Sequence, residues 1–273
     1  NHVFEWIYKT EQDCAGQDAK FTATVEGKDE NSQLDKTATD SFTLTIKPKT
    51  DLLITQLEIQ PKQISCGQDV LVVMTVKNQG GVKALGVTPF LRLEPENLNI
   101  ILPDQPTPPS ADISPGETPN YRWTYKTQAG SQGTYNFIGN ASGIDEKSSE
   151  FILSNEVTSE PLTIQIPAEI VVQNVVVKPD SINAGQPFKV IVTIYNEGEA
   201  TAEGVTIRLE PSLVVKGLNQ IFPGSKNITG KTYEDFIWEF STTEESAATL
   251  SFTASASGKD QNSGRNILTQ DAK

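Results

Sequence analysis

Apolar and polar residues alternate one by one along much of this chain. In FEWIYK (4–9), Phe4, Trp6 and Tyr8 take every second position, with Glu5, Ile7 and Lys9 between them. Side chains of a strand point to opposite faces in turn, so the phrase predicts a strand. VLVVMTV (70–76) and FKVIVTIYN (188–196) are β-branched runs with the same alternation. No stretch of about twelve residues carries a helical period. Turn punctuation is regular. QPKQISCGQ (60–68) and KPDSINAGQ (178–186) each set a proline and then a glycine between two strands, and NQGG (78–81) and NEGEA (196–200) mark tight turns.

The same phrases return at intervals of about 115 residues. FEWIYKT (4–10) recurs as YRWTYKT (121–127) and FIWEFST (236–242), which puts Trp6, Trp123 and Trp238 in register. FTATVEGKDENS (21–32) matches FIGNASGIDEKS (137–148) and FTASASGKDQNS (252–263), aligning Asp29, Asp145 and Asp260. A third phrase occurs twice, at 57–80 and 175–198, and leads each time into LRLEP (91–95) or IRLEP (207–211). The period is far too long for a solenoid and matches one sandwich domain. The predicted fold is all-β, with tandem immunoglobulin-like antiparallel β-sandwiches in an extended array.

In domain two the strands fall at 52–60 (A), 69–77 (B), 82–94 (C), 121–127 (E), 134–143 (F) and 151–165 (G). The domains are 1–48, 49–166 and 167–273, and the first holds only strands E to G. Its apolar face is expected to be covered by an upstream stretch of a longer array or by a neighbouring copy, since unpaired apolar strands invite partners. The chain starts at Asn1 without a signal-peptide pattern and reads as processed or cut from something longer. Trp6, Trp123 and Trp238 are assigned to the inter-sheet core. The linkers IKPKTD (46–51) and QIPAE (165–169) are short and each contains a proline, which limits hinge freedom.

Composition narrows the function. The 273-residue chain has net charge −13, which argues against the basic surface that nucleic acids and anionic membranes require. No apolar run is long enough to span a membrane. A single histidine, His2, leaves no Ser-His-Asp or Cys-His site. With only two cysteines besides, a closed zinc site is also not expected. The protein is read as non-enzymatic.

The stretch VVVKPDSINAGQPFKVIVTIYNEGEATAEGVTIRLEP (175–211), with the Trp strand and the ASGKDQNSG ending (256–264), resembles the CARDB-like (cell-adhesion-related, bacterial) and S-layer-associated immunoglobulin-like domains. The elements that carry the resemblance are Pro, Gly-Gln, a β-branched strand, Asn-x-Gly and a Gly-Val-x-Ile strand. It covers both full domains and the partial one. It implies an exported, cell-surface, multi-domain prokaryotic protein whose family shares no catalytic residues. The proline-rich 95–119 loop departs from the pattern and is a candidate contact surface.

Two readings of function follow. In the first, the chain is a structural repeat protein that forms the shaft of a surface filament, fibre or S-layer-like assembly, with further repeats or other copies of itself as partners. In the second, it is an adhesive, ligand-binding or spacer module of a larger secreted protein.

The candidate chemistry is sparse. Asp29, Asp145 and Asp260 recur in a Gly-x-Asp-x-x-Ser phrase at the F–G turn. That phrase suits a hairpin turn, and its oxygens also suit Ca²⁺, the one cofactor considered. Asn140 and Asn227 head glycosylation sequons, NAS and NIT. Cys14 falls in an E–F loop and Cys66 in the A–B loop of the next domain, about one domain length apart. An intrachain disulfide is therefore not expected. An interchain bond between staggered copies and two free thiols both stay open.

Overall fold

The computed structural model describes residues 2–10, 16–101, 105–212, 219–221, 223–241 and 249–269. All regular structure among them is strand. β1 (Asp18–Lys28) and β2 (Asp35–Thr45) form an antiparallel hairpin. Domain two follows with β3 (Leu52–Gln60), β4 (Gln63–Ser65), β5 (Asp69–Asn78), β6 (Ala84–Glu94), β7 (Ile100–Ile101), β8 (Ala111–Ile113), β9 (Asn120–Thr127), β10 (Gly133–Asp145), β11 (Phe151–Leu153), β12 (Val157–Thr158) and β13 (Leu162–Gln165). Domain three has β14 (Ile170–Lys178), β15 (Phe188–Asn196), β16 (Ala202–Pro211), β17 (Asn219–Ile221), β18 (Lys226–Ile228), β19 (Tyr233–Ser241), β20 (Phe252–Asp260) and β21 (Asn266–Leu268).

Each full domain is an immunoglobulin-like sandwich. In domain two the sheet β3-β5-β9-β7 packs on β4-β13-β10-β6-β8, with β11 and β12 also paired to β10. In domain three, β14-β15-β19-β17 packs on β18-β16-β20-β21. The alternation read from the sequence decides what lies inside. Val70, Val72, Met74 and Val76 of β5 are fully buried, as is Tyr121 of β9, and Trp123 is 5% exposed. Trp123 pairs with Val72 in register, and Trp238, 1% exposed, pairs with Val190 in the same way. Both indoles therefore plug equivalent points between sheets. Burial pushes the Tyr121 hydroxyl up to about 12, and it donates a hydrogen bond to the Val87 carbonyl at 3.0 Å.

Two expectations are corrected. Residues 2–10 are not a strand, and Trp6 is not in a core but 64% exposed. The reason lies in the sheet order. The tryptophan strands β9 and β19 sit beside β5 and β15, the B strands of their sheets. Nothing equivalent to a B strand lies beside residues 2–10 among the described residues. The backbone there lacks a ladder; Phe4 stacks on Trp6 at 6.2 Å, and Tyr8 meets Phe21 of β1 in a tilted contact at 4.8 Å.

The second correction concerns the 95–119 loop, to which the sequence assigns no strand. Part of it lies on both sheet edges. β7 pairs with β9, Thr107 bridges to Arg122, and β8 pairs with β6. Domain three does the same over a shorter path with β17 and β18. Covering the edges removes unpaired strand surface that would otherwise template association.

Candidate functional site: the joint between domains

The Gly-x-Asp-x-x-Ser phrase builds the same turn three times. Asp29 Oδ1 accepts from the backbone N–H of Asn31 (3.1 Å) and Ser32 (2.7 Å). Asp145 Oδ1 accepts from Lys147 and Ser148, both at 2.8 Å, and Asp260 Oδ1 from the backbone N–H and the hydroxyl of Ser263 at 2.8 and 2.7 Å. The turn closes at a left-handed residue in every copy: Gln33 at φ 54°, Ser149 at φ 59° and Gly264 at φ 66°. The hairpin of domain one makes this turn without a sandwich around it, so the turn is encoded locally. The three candidate calcium ligands stand one to a domain and are not brought together. No group of three or more His, Cys, Asp or Glu side chains able to hold a metal occurs among the described residues. Each Oδ1 is occupied by hydrogen-bond donors, the arrangement of a carboxylate-built turn.

The second carboxylate oxygen reaches out of the turn to the linker that enters the domain. Asp145 Oδ2 accepts from Thr50 N–H and Asp260 Oδ2 from Ala168 N–H, each at 2.8 Å. The Asn-x-Gly turn grips the same linker from the other side. Asn78 Nδ2 donates to the carbonyls of Val82 and Ile113, and its Oδ1 accepts from Gly80 and, at 3.4 Å, from Asp51. Asn196 repeats this with Ala200, Ile228, Gly198 and Glu169. Both asparagines are fully buried and have donors and acceptors satisfied, the condition for tolerable burial of an amide. Glycine is required beside them. A Cβ on Gly80 would lie 2.1 Å from the Lys49 carbonyl oxygen, and one on Gly198 would lie 2.1 Å from that of Pro167.

Between domains two and three the turn also receives the preceding domain. Ser65 of β4 donates its hydroxyl to the Asp260 carboxylate, 3.0 and 3.1 Å from its two oxygens, and both side chains are buried. Asn262 is the second anchor. Its Nδ2 donates to Ser65 Oγ (3.2 Å) and Gln165 Oε1 (2.9 Å), and its Oδ1 accepts from Gln63 Nε2 at 3.1 Å. Gln68 Nε2 reaches its backbone carbonyl at 3.3 Å. In the linker, the Ile166 N–H donates to Glu199 Oε2 at 3.0 Å. At the Asp145 turn a surface ion pair appears instead, Lys49 to Glu150 at 2.7 Å.

Burial opposes ionisation of Asp145 and Asp260, but the donors outweigh it. Thr50 and Ser148 hold Asp145 far below the usual carboxylate range, and Ala168, Ser263 and Ser65 hold Asp260 below it. Sequence reading singled out the three aspartates but missed Asn78, Asn196, Ser65 and Asn262. The available signal was the Asn-x-Gly phrase, aligned in both repeats and read only as a turn.

The remaining sequence candidates are dispersed. Cys66 is a half-buried free thiol whose Sγ accepts from the Ser131 hydroxyl at 3.4 Å, and Cys14 lies outside the described residues. Asn227 is exposed on β18, where its Oδ1 accepts from Gly204 N–H at 2.9 Å. Asn140 is half-buried in β10 opposite Phe90. No helix of the described residues is long and apolar enough to cross a membrane.

No protein-family model and no curated protein matches the sequence. Solved structures with similarity include the D0-D1 domain of intimin, at 9% identity and TM-score 0.23 over 80% of this chain and 97% of that one. The Yersinia pseudotuberculosis adhesin InvE matches at 11% identity and TM-score 0.25, over 79% of this chain and 58% of that one. The E. coli alpha-2-macroglobulin matches at 12% identity and TM-score 0.29, over 91% of this chain and 19% of that one. Likeness at this level carries no argument about function.

Proposed function

We propose that the chain is a non-enzymatic, extracellular structural repeat protein that builds the shaft of a cell-surface filament, fibre or S-layer-like assembly. The observation that carries this reading is the joint of Ser65, Asp260 and Asn262. The most elaborate polar arrangement described in the molecule fixes one domain upon the next, with a buried carboxylate at its centre. A buried, fully hydrogen-bonded carboxylate tolerates little change of geometry, so such a joint resists bending. The resemblance of residues 175–211 to CARDB-like and S-layer-associated domains points the same way. Asn227, exposed at a strand edge, suits glycosylation of an exported protein better than half-buried Asn140.

One observation favours the second reading, an adhesive module. Phe90, Ile144, Phe151 and Leu153 are exposed on domain two, where Ile144 pairs with Phe151 and Ser142 with Leu153 on the outer face of the sheet. Aligned positions in domain three hold Thr206, Lys259, Asn266 and Leu268.

Antibody labelling of intact producing cells, with electron microscopy of the native material, tests the proposal. Surface-bound label on an ordered fibre or sheet supports it. Label confined to the cell interior refutes both readings, and surface label without any ordered assembly leaves the adhesive one.

A further inference from the structure

We infer that the Asp29–Ser32 turn of domain one is the receiving half of a second joint, and that it takes the A–B tip of domain three, residues 181–186, from another copy of this chain. The inference names the partner contact within the structural reading above and rests on it.

The first ground is the turn itself. GKDENS (27–32) differs from GKDQNS (258–263) only at Glu30, so Asn31 stands where Asn262 stands. Domain two has GIDEKS (143–148), with Lys147 in that place, and no side chain of a preceding domain reaches Asp145 among the described residues. Of the aligned residues Asn31, Lys147 and Asn262, it is Asn262 that exchanges hydrogen bonds with Gln63, Ser65, Gln68 and Gln165 of the preceding domain among the described residues. The Asp29 turn thus carries the side chains of the interdomain socket, already folded by the same internal hydrogen bonds, and both residues are exposed.

The second ground is the tip. In domain two the tip is set by Ser65 N–H donating to Gln68 Oε1 (2.7 Å) and Gln68 N–H to the Ser65 carbonyl (3.2 Å). In domain three Asn183 N–H donates to Gln186 Oε1 (2.9 Å) and Gln186 N–H to the Asn183 carbonyl (3.1 Å). The turn that follows Ser65 is therefore reproduced, with exposed Asn183 in place of Ser65 and Ser181 in place of Gln63, though residues 181–183 form no strand corresponding to β4. The amide of Asn183 can donate to a carboxylate as the Ser65 hydroxyl does. Tip and turn are different surfaces, so the contact is heterologous and repeats from copy to copy into an open chain.

Sedimentation of the whole chain across a wide concentration range tests this. The expected result is reversible association that grows with concentration. Asn183→Asp, which faces one carboxylate with another, should weaken association about tenfold or more. The double variant Asp29→Asn with Asn183→Asp exchanges donor and acceptor and should recover it. Both residues are exposed and the turn keeps its Oδ1 acceptor, so folding is retained, as circular dichroism would verify. A strictly monomeric chain overturns the inference. So does association that ignores Asn183→Asp, the outcome expected if the open aromatic face of domain one does the joining. Cell-surface labelling is read independently, so failure of this contact is separable from failure of the structural reading.

Discussion

The hydroxyl of Ser65, in domain two, lies 3.0 Å from one carboxylate oxygen of Asp260, in domain three, and 3.1 Å from the other. Their separation in sequence is 195 residues, and both are buried. Hydrogen bonds to a charged group contribute about 1.5–3 kcal/mol. Ser65→Ala is accordingly expected to destabilise the joint by an amount of that order while leaving the isolated hairpin turn intact. Thermal unfolding of the whole chain, followed at the tryptophans, should show domain three melting earlier. An unchanged profile would remove the joint from the stability of the array.

The folded-state pKa values of Asp145 and Asp260 are depressed, so their contribution follows the carboxylate sign. It is fully present above the unfolded value of about 3.9 and is lost as pH falls through the folded values. Acid titration monitored by near-ultraviolet circular dichroism should show stability declining below about pH 4. Asp145→Asn keeps the acceptor for Lys147 and Ser148 but turns an amide donor toward Thr50 N–H. It should cost about 1–3 kcal/mol at neutral pH and flatten the acid dependence. A variant as acid-sensitive as the parent would contradict the assignment.

Trp123→Ala should cost about 3–5 kcal/mol, because a filled site between two sheets becomes a cavity. Trp6→Ala should change the stability of the monomer by less than about 0.5 kcal/mol, since its indole is exposed. Denaturant midpoints of the two variants give the comparison directly.

Ser149 holds a left-handed backbone at φ 59°, where the matching position in domain three is Gly264. A non-glycine residue there costs about 1–2 kcal/mol, part of which glycine returns as unfolded-state entropy. Ser149→Gly should therefore stabilise domain two by up to about 1 kcal/mol, and Gly264→Ala should destabilise domain three by a similar amount. Equal midpoints for parent and Ser149→Gly would mean the turn is relaxed at serine.

Gly198→Ala tests the close approach of turn and linker. The added carbon would sit 2.1 Å from the Pro167 carbonyl oxygen, a backbone atom that cannot rotate away. Loss of about 1–3 kcal/mol is expected, as for other overpacked sites. Solution scattering should show a changed angle between domains two and three, and an unaltered scattering curve would refute the coupling.

Much of this architecture was written in the sequence. Alternation in VLVVMTV and YRWTYKT determined which side chains face inward, because strand geometry sends every second residue to the same face. The Gly-x-Asp-x-x-Ser turn was equally legible, since its hydrogen bonds join residues at most five apart. Trp6 shows the limit. It carries the same local pattern as Trp123, yet burial depends on a neighbouring B strand that alternation in residues 4–9 cannot supply. The joint was hidden for the same reason. Ser65, Gln165 and Asp260 belong to three distant phrases, and nothing in any one of them specifies the others. Periodicity fixes the direction of a side chain, whereas the identity of what it meets depends on the docking of whole sheets and domains, and that only the tertiary structure decided.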